Sequence, residues 1–312
     1  MRKLILSAML LAAVTAGQVG ATPLKVEQVA PGVYVHFGQH KDFERDYDGD
    51  IANIGFVIGT DAVAVIDTGG SYAVGMALKE ALRAITDLPI RYVINTHVHP
   101  DHVFGNAAFI DAQANPTSAP PLLIGHARLP AVMAMRGDAY LRNLKTALGP
   151  AAHNSTLIAP DQTVQTTLTL DLGHRTLELT AWTSAHTQTD VTLFDASTGT
   201  LWTGDLLFIE RTPALDGDVK GWLSAIDALE KMPSVITIPG HGPVTGDKSA
   251  ALARQRQYLA TLLRDVRSSI HRGDGMTATM ATAAASEKAR WHLFDVVNRR
   301  NVNLLYPILE WE

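Results

Sequence analysis

Six consecutive residues pack four potential metal ligands together: His97-Val98-His99-Pro100-Asp101-His102. Side chains two apart at a strand end face the same way, so His97 and His99 can reach one ion. Pro100 forces a turn that lets Asp101 and His102 address a neighbouring position. Neutral imidazoles and carboxylates are the ligand set of zinc, and also of iron or manganese. The chain has no cysteine. Cysteine-ligated zinc, iron–sulfur clusters, disulfides and thiol nucleophiles are therefore excluded.

The elements that must position these groups are legible on both sides. Ile54–Ile58 and Ala62–Ile66 flank Gly59-Thr60-Asp61 as a β-hairpin that runs into Asp67-Thr68-Gly69-Gly70. Gly32–Phe37 alternates as an earlier strand. Ser71 is placed to cap a helix from Tyr72 to about Ala84, and Arg91–Asn95 reads as a buried strand ending in the histidine cluster. The second half repeats this grammar. Thr167–Leu172 and Arg175–Thr180 flank one turn; Asp190–Phe194 and Gly199–Thr203 flank the next, which runs into Gly204-Asp205. A helix over Lys220–Lys231 follows, and then a strand, Val235–Pro239, ending in Gly240-His241-Gly242. Each half thus gives hairpin, carboxylate, helix and a strand ending in histidine, a weak internal duplication. From Lys248 on, Leu252, Leu259, Leu262, Val266 and Ile270 form a helical stripe, and 277–312 read as short helices. Asp111–Pro121 reads as a surface loop.

The histidine cluster, with Asp67-Thr68-Gly69 before it, resembles the metallo-β-lactamase superfamily. Three later segments match that pattern in order: Ala185-His186-Thr187-Gln188-Thr189-Asp190, Thr203-Gly204-Asp205 and Pro239-Gly240-His241-Gly242. The resemblance spans residue 24 to about 245. It implies an α/β fold, an αββα sandwich of two β-sheets with outer helices, over 22–247. Residues 248–312 would be a helical extension packed on the same domain. It further implies two metal ions, zinc first: one held by His97, His99 and His186, the other by Asp101, His102 and His241, with Asp205 bridging. Asp101 and Asp205 would be catalytic, and Asp67 would orient ligating imidazoles.

A finer similarity is to the quinoprotein relay system zinc metallohydrolases, relatives of sulfur-oxidation-linked metallohydrolases. It rests on Gly49–Ile54, Asp67–Ser71, Asn95–Asn106, Gly125-His126-Ala127 and the tail Arg300–Val302 to Glu310–Glu312. It implies a link to a periplasmic quinoprotein oxidation system. Within this frame His40 and His126 are candidates for the substrate pocket, whereas Tyr140 and Trp202 read as packing residues. His36, His153, His174, His271 and His292 lack ligand-like spacing.

The activity implied is hydrolysis of a small ester, thioester, lactone or amide by water activated at the metals. The alternatives are a mononuclear iron oxidoreductase like the persulfide dioxygenases, a β-lactamase, or a metal-binding module without catalysis. Asp205 weighs against the β-lactamase, since typical β-lactamases of this fold carry Cys or Ser where the bridging Asp stands. A di-iron reductase would want Glu in place of His99. Two divalent ions against two carboxylates leave a positive site that attracts an anionic substrate. The loop from His40 to Asp50 holds five acidic and two basic residues and opposes this, so at most one negative charge on the substrate is expected.

Composition sets the outer bounds. Of 312 residues 46% are hydrophobic and 18% charged, with 24 Gly and 15 Pro, which excludes disordered and collagen-like classes. The formal charge of −5 gives no support for a nucleic-acid partner. Residues 1–21 have the basic start, short apolar run and small-residue end of a secretory signal peptide. Val19-Gly20-Ala21 offers cleavage before Thr22, with Val14-Thr15-Ala16 second. The apolar run is too short for a membrane span, so no span is expected in a mature chain and a periplasmic destination is the expectation. Loss of Arg2 and Lys3 would leave 31 acidic against 24 basic residues, about −7.

Overall fold

The computed structural model describes residues 22–43, 48–110 and 119–312. The expected signal peptide and most of the Asp111–Pro121 loop lie outside the described residues. Seven strands form one sheet in chain order: β1 Glu27–Ala30, β2 Val33–His36, β3 Ile54–Ile58, β4 Val63–Ile66, β5 Ile90–Ile94, β6 Leu122–His126 and β7 Gln162–Val164. Pairing is antiparallel up to β4 and parallel from β4 to β7. The second sheet has the order β12-β11-β10-β9-β8, with β8 Thr167–Asp171, β9 Thr176–Ala181, β10 Val191–Asp195, β11 Thr200–Phe208 and β12 Ile236–His241. Only its last pair, β11 with β12, is parallel.

Strand alternation explains the layers. In β4, Ala64 and Ile66 turn inward to meet Leu179, Leu193 and Trp202 of the other sheet. Val63 and Val65 turn outward and pack with Val74, Leu78 and Leu82 of α1, Tyr72–Arg83. The second sheet is covered by α5 (Val219–Lys231), α6 (Lys248–Arg272), α7 (Met276–Thr282) and α8 (Phe294–Glu310). Trp222, Tyr258, Leu259, Leu262, Val302 and Leu305 share one buried cluster there. Helices on both outer faces of two packed sheets make the expected αββα sandwich. The other α-helices among the described residues are α2 (Pro100–Val103), α3 (Ala107–Ile110) and α4 (Leu129–Leu148).

The C-terminal reading needs correction. Instead of short helices throughout, α8 runs unbroken for 17 residues with Pro307 inside it. Pro307 removes one donor near the helix end, but the buried stripe Val302, Leu305, Tyr306 and Leu309 holds the helix against the core. The duplication is visible in space. β3, β4, α1 and β5 in one half correspond in order to β10, β11, α5 and β12 in the other, and each crossover joins a parallel pair.

Candidate metal centre

The histidine cluster leaves the end of β5, and its backbone is fixed by the end of β4. Asp67, with φ 52°, turns its carboxylate under the cluster. It accepts from Thr96 N at 2.8 Å and Thr96 Oγ1 at 2.7 Å, and from His102 Nδ1 at 2.8 Å. Pro100 occupies the first turn of α2, where its missing N–H costs nothing. That turn separates His97 and His99, the latter still extended, from Asp101 and His102. Gly204 (φ 51°) and a register shift in the β11–β12 pair project Asp205 toward the cluster, as bulges do. A Cβ on Gly204 would stand 2.7 Å from Thr96 Cβ, so this close approach needs glycine. His186 follows β9 in a turn whose Thr187 N and Oγ1 donate to Asp190 at 2.9 and 2.6 Å. Burial pushes the Asp190 carboxyl up to about 7 against those hydrogen bonds.

The side chains converge in two groups. His97, His99, His186 and Asp205 form one, with potential ligand atoms all within 4.8 Å of one another; Asp101, His102 and His241 form the other. Asp205 reaches both. Its Oδ2 lies 3.6, 3.3 and 3.4 Å from Nε2 of His97, His186 and His241, and its Oδ1 lies 3.2 Å from Nε2 of His102. Asp101 Oδ2 is 3.3 Å from His241 Nε2.

Each imidazole has its outer nitrogen engaged. His102 donates to Asp67, His186 Nδ1 to the Ala214 carbonyl at 2.7 Å, and His241 Nδ1 to the Ile51 carbonyl at 2.7 Å. His97 Nδ1 meets Thr96 Oγ1 at 3.0 Å, a hydroxyl whose proton already goes to Asp67. His99 is the reverse case: Nε2 faces Asp216 Oδ2 at 2.9 Å, leaving Nδ1 inward, 3.0 Å from His186 Nε2. These partners assign the tautomers of the neutral rings, and in that form every inward nitrogen offers a lone pair to a cation.

His97 Nε2, His102 Nε2 and Asp205 Oδ1 are buried without a hydrogen-bond partner. Buried orphaned acceptors converging on two points fit cations, and the all-nitrogen-and-oxygen donor set fits zinc, iron or manganese. Burial holds His186 down at about 3 and, helped by the charge of His102, holds His97 well below its usual value, so both stay neutral ligands. Burial works to raise Asp205, but the surrounding His241, His102 and His97 keep it well below the carboxylate range. Burial also opposes the charge on His102, yet Asp205, Asp67 and Asp101 raise it well above normal. A cation would feel that same negative field.

Members of both groups, His99 and Asp205 of one and Asp101 and His241 of the other, line a cavity of about 380 Å³. One wall is a single face of α4, Tyr140, Asn143, Leu144 and Ala147, spaced i, i+3, i+4 and i+7. Phe43, Ile51 and Phe208 supply apolar surface, and Arg211 and the Arg300–Asp42 pair supply charge. A larger cavity, about 690 Å³ beside Trp291 and Arg254, holds none of the ligand atoms, so its size does not make it the site.

Neither sequence candidate for the pocket lines this cavity. His40 sits 3.6 Å from Glu210 with its ring 5.1 Å from His292. His126 accepts from Arg128 N at 2.9 Å and donates to the Trp182 carbonyl at 3.1 Å, which commits its ring to the turn into α4. Tyr140, read as packing, lines the cavity instead. Trp202 is fully buried between the sheets. Of the acidic loop, Asp42 is bound bidentately by Arg300 at 3.0 and 2.8 Å and Asp50 by His36 at 2.8 Å, so its field on the cavity is weaker than the residue count implies. Sequence reading missed Asp216, Arg136 and α4. The stripe Leu129, Val132, Met133, Leu144 and Leu148 was the available signal for α4; the lone Asp216 gives none.

A sequence model of the metallo-beta-lactamase superfamily matches residues 47–241. The chain belongs to that superfamily. Over 215 residues it is 24% identical to a linear primary-alkylsulfatase of Pseudomonas sp., covering 60% of this chain and 40% of that protein. The stereoselective inverting sec-alkylsulfatase Pisa1 of Pseudomonas sp. superposes with a TM-score of 0.68 at 18% identity, over 91% of this chain and 50% of its own. A metallo-beta-lactamase from Pontibacter korlensis superposes with a TM-score of 0.56 at 21% identity, over 76% of this chain and 99% of its own. The chain thus spans half or less of the length of these alkylsulfatases. The structural likeness is one of fold, and these superfamily relatives, sulfatases and β-lactamases alike, are hydrolases.

Proposed function

We propose that this superfamily member is an exported, zinc-dependent hydrolase with two metal ions, acting on a small ester, thioester, lactone or amide that carries at most one negative charge. The observation that supports it is the convergence of seven potential ligand side chains, with Asp205 within reach of both groups and with His99, Asp101, Asp205 and His241 opening onto one cavity. When bound, two such ions supply a Lewis acid and an activated water. The chain does the rest. Asp205 stands between the two groups, and Asp101, also lining the cavity, is held below the carboxylate range because His102 and His241 outweigh its burial. An ionised Asp101 Oδ2 beside the substrate can accept a proton from water in the cavity. With no cysteine in the chain and no serine among the described residues of the cavity wall, the reading is direct attack by water without an acyl-enzyme. Phe43, Ile51 and Phe208 receive an apolar portion of the substrate, and Tyr140 and Asn143 offer hydrogen bonds to its polar end.

A second reading, a sulfate monoester as substrate, is favoured by the alkylsulfatase relatives and by Arg211 and Arg300 on the cavity wall. Such an ester carries one negative charge, within the limit set above. The finer link to quinoprotein relay metallohydrolases, and with it a periplasmic oxidation system, rests on the sequence segments quoted earlier. The deciding experiment is metal analysis of the purified protein followed by a panel with that metal: a carboxylic ester, a thioester, a lactone, a penicillin and a primary alkyl sulfate. About two zinc ions per chain with turnover of an acyl ester is the expected result. Turnover confined to the alkyl sulfate selects the second reading. Turnover confined to the penicillin overturns both. N-terminal sequencing of protein from a periplasmic fraction, expected to begin near Thr22, tests export.

A further inference from the structure

Between β11 and α5 lies an irregular loop, Pro213–Asp216, that touches two metal-ligand candidates at once. The Ala214 carbonyl accepts from His186 Nδ1 at 2.7 Å, and Asp216 Oδ2 faces His99 Nε2 at 2.9 Å. Asp216 N also donates to the His186 carbonyl at 3.1 Å. The loop therefore chooses which nitrogen each ring turns inward, and the two inward nitrogens lie 3.0 Å apart. The other group is oriented elsewhere: His102 by Asp67 and His241 by Ile51.

The loop is anchored from two sides. Buried Asn301 of α8 accepts from Leu215 N at 2.8 Å and donates to the Pro213 carbonyl at 2.7 Å. Asn301 is in turn fixed by the Tyr258 hydroxyl at 2.8 Å, which itself donates to Asn298 at 2.9 Å. From the opposite side Arg136 of α4 donates to the same Asp216 oxygen that His99 meets, and to the Tyr140 hydroxyl at 3.2 Å. Asn301 lies well beyond the segment matched by the superfamily model, which ends at residue 241.

We propose that Pro213–Asp216 is an orienting clamp for the three-histidine group alone, with Asp216 as the positioning residue and Asn301 and Arg136 as its anchors. The proposal rests on the two-metal reading. It assigns the C-terminal helix and the cavity-wall helix a part in metal affinity that neither group's ligands reveal. Removing a carboxylate that orients a ligating imidazole typically costs 10–100-fold in affinity. The clamp should show that loss at one ion and not at the other.

The experiment is zinc competition with a chromophoric chelator on the full chain, for wild type and for Asp216→Ala, Asp216→Asn and Asn301→Ala, with circular dichroism to confirm folding. Asp216→Ala should weaken one of two zinc ions by about 10–100-fold and leave the other unchanged. Asp216→Asn keeps an acceptor for His99 Nε2–H and should recover most of that loss. Asn301→Ala, if folded, should weaken the same ion; if it does not fold, the two Asp216 variants decide. Long-range ¹H–¹⁵N spectra of the zinc-loaded protein should show His99 as the Nε2–H tautomer, and a mixture in Asp216→Ala. Equal loss of both ions, no loss of either, or an unchanged His99 tautomer overturns the clamp. A wild-type chain that holds fewer than two zinc ions overturns the two-metal reading instead, and the tautomer comparison then decides the clamp alone.

Discussion

Asp205 concentrates the logic of the site in one carboxylate. It stands within 3.2–3.6 Å of four imidazole nitrogens drawn from both groups, and among the described residues no other side chain does so. Asp205→Asn keeps the shape but removes the charge between two cations. We expect the second ion to be lost or weakened and turnover to fall by more than the ~10–100-fold typical of an outer-shell change. Elemental analysis beside a rate measurement checks this, and unchanged metal content and rate would contradict the central role. Away from the site, His36 donates from Nδ1 to the Lys25 carbonyl at 2.8 Å and from Nε2 to Asp50 at 2.8 Å. Burial lowers its pKa, but the hydrogen bond and charge of Asp50 prevail and raise it. A raised native pKa contributes stability that is complete below the unfolded value and lost as pH rises through the native one. The gap in melting temperature between wild type and His36→Gln should therefore be wide at pH 5.5 and shrink toward pH 9. A gap that widens with pH would reverse the assignment. At this scale the sequence exposes what is crowded: His97 to His102 announce themselves by spacing. Asp216 and Arg136 are single residues 80 apart that meet only through the fold, and no local pattern marks them.

At the scale of elements, the helix that covers the first sheet also presses on the ligand loop. Gly75 of α1 faces Gly105 just past α2; a Cβ on Gly75 would stand 2.5 Å from the Gly105 carbonyl oxygen and 2.9 Å from its Cα. These are backbone atoms and cannot swing aside. Gly75→Ala should cost about 1–3 kcal/mol, as overpacking does, and reduce metal affinity as well, because the displaced segment carries Asp101 and His102. Denaturant unfolding with parallel metal analysis tests both. At the start of the same helix Ser71 Oγ accepts from Val74 N at 3.3 Å, and Ser71→Ala should cost about 1 kcal/mol with the site intact. Hairpins and crossover helices were legible here because their signals are local: alternation, a polar turn, a capping serine. The wall helix α4 escaped because its apolar stripe is interrupted by exposed Met135 and by cavity-lining Tyr140 and Asn143. That departure from a plain amphipathic pattern reflects its place over the cavity.

Over the whole molecule the duplication has a division of labour. The first half supplies His97, His99, Asp101 and His102; the second supplies His186, Asp205 and His241. Neither group is complete within one half. Each bound ion would therefore tie the end of one sheet to the end of the other. At a free zinc level 100 times the dissociation constant, one such ion adds about 2.7 kcal/mol to stability. Melting temperature should rise with zinc and fall with a chelator, and deuterium exchange should slow at the edges of both sheets together on loading. Protection confined to one sheet would contradict the shared assignment. The consequence is topological. The ions would close loops of about 90 residues (His97 to His186) and about 140 residues (His102 to His241), the constraint a disulfide would impose, in a chain that has no thiol to form one. Such a staple ignores oxidants and reductants altogether. It would tighten or open with the metal supply of its surroundings, so scarcity of the metal would remove the catalyst and loosen the fold in the same event.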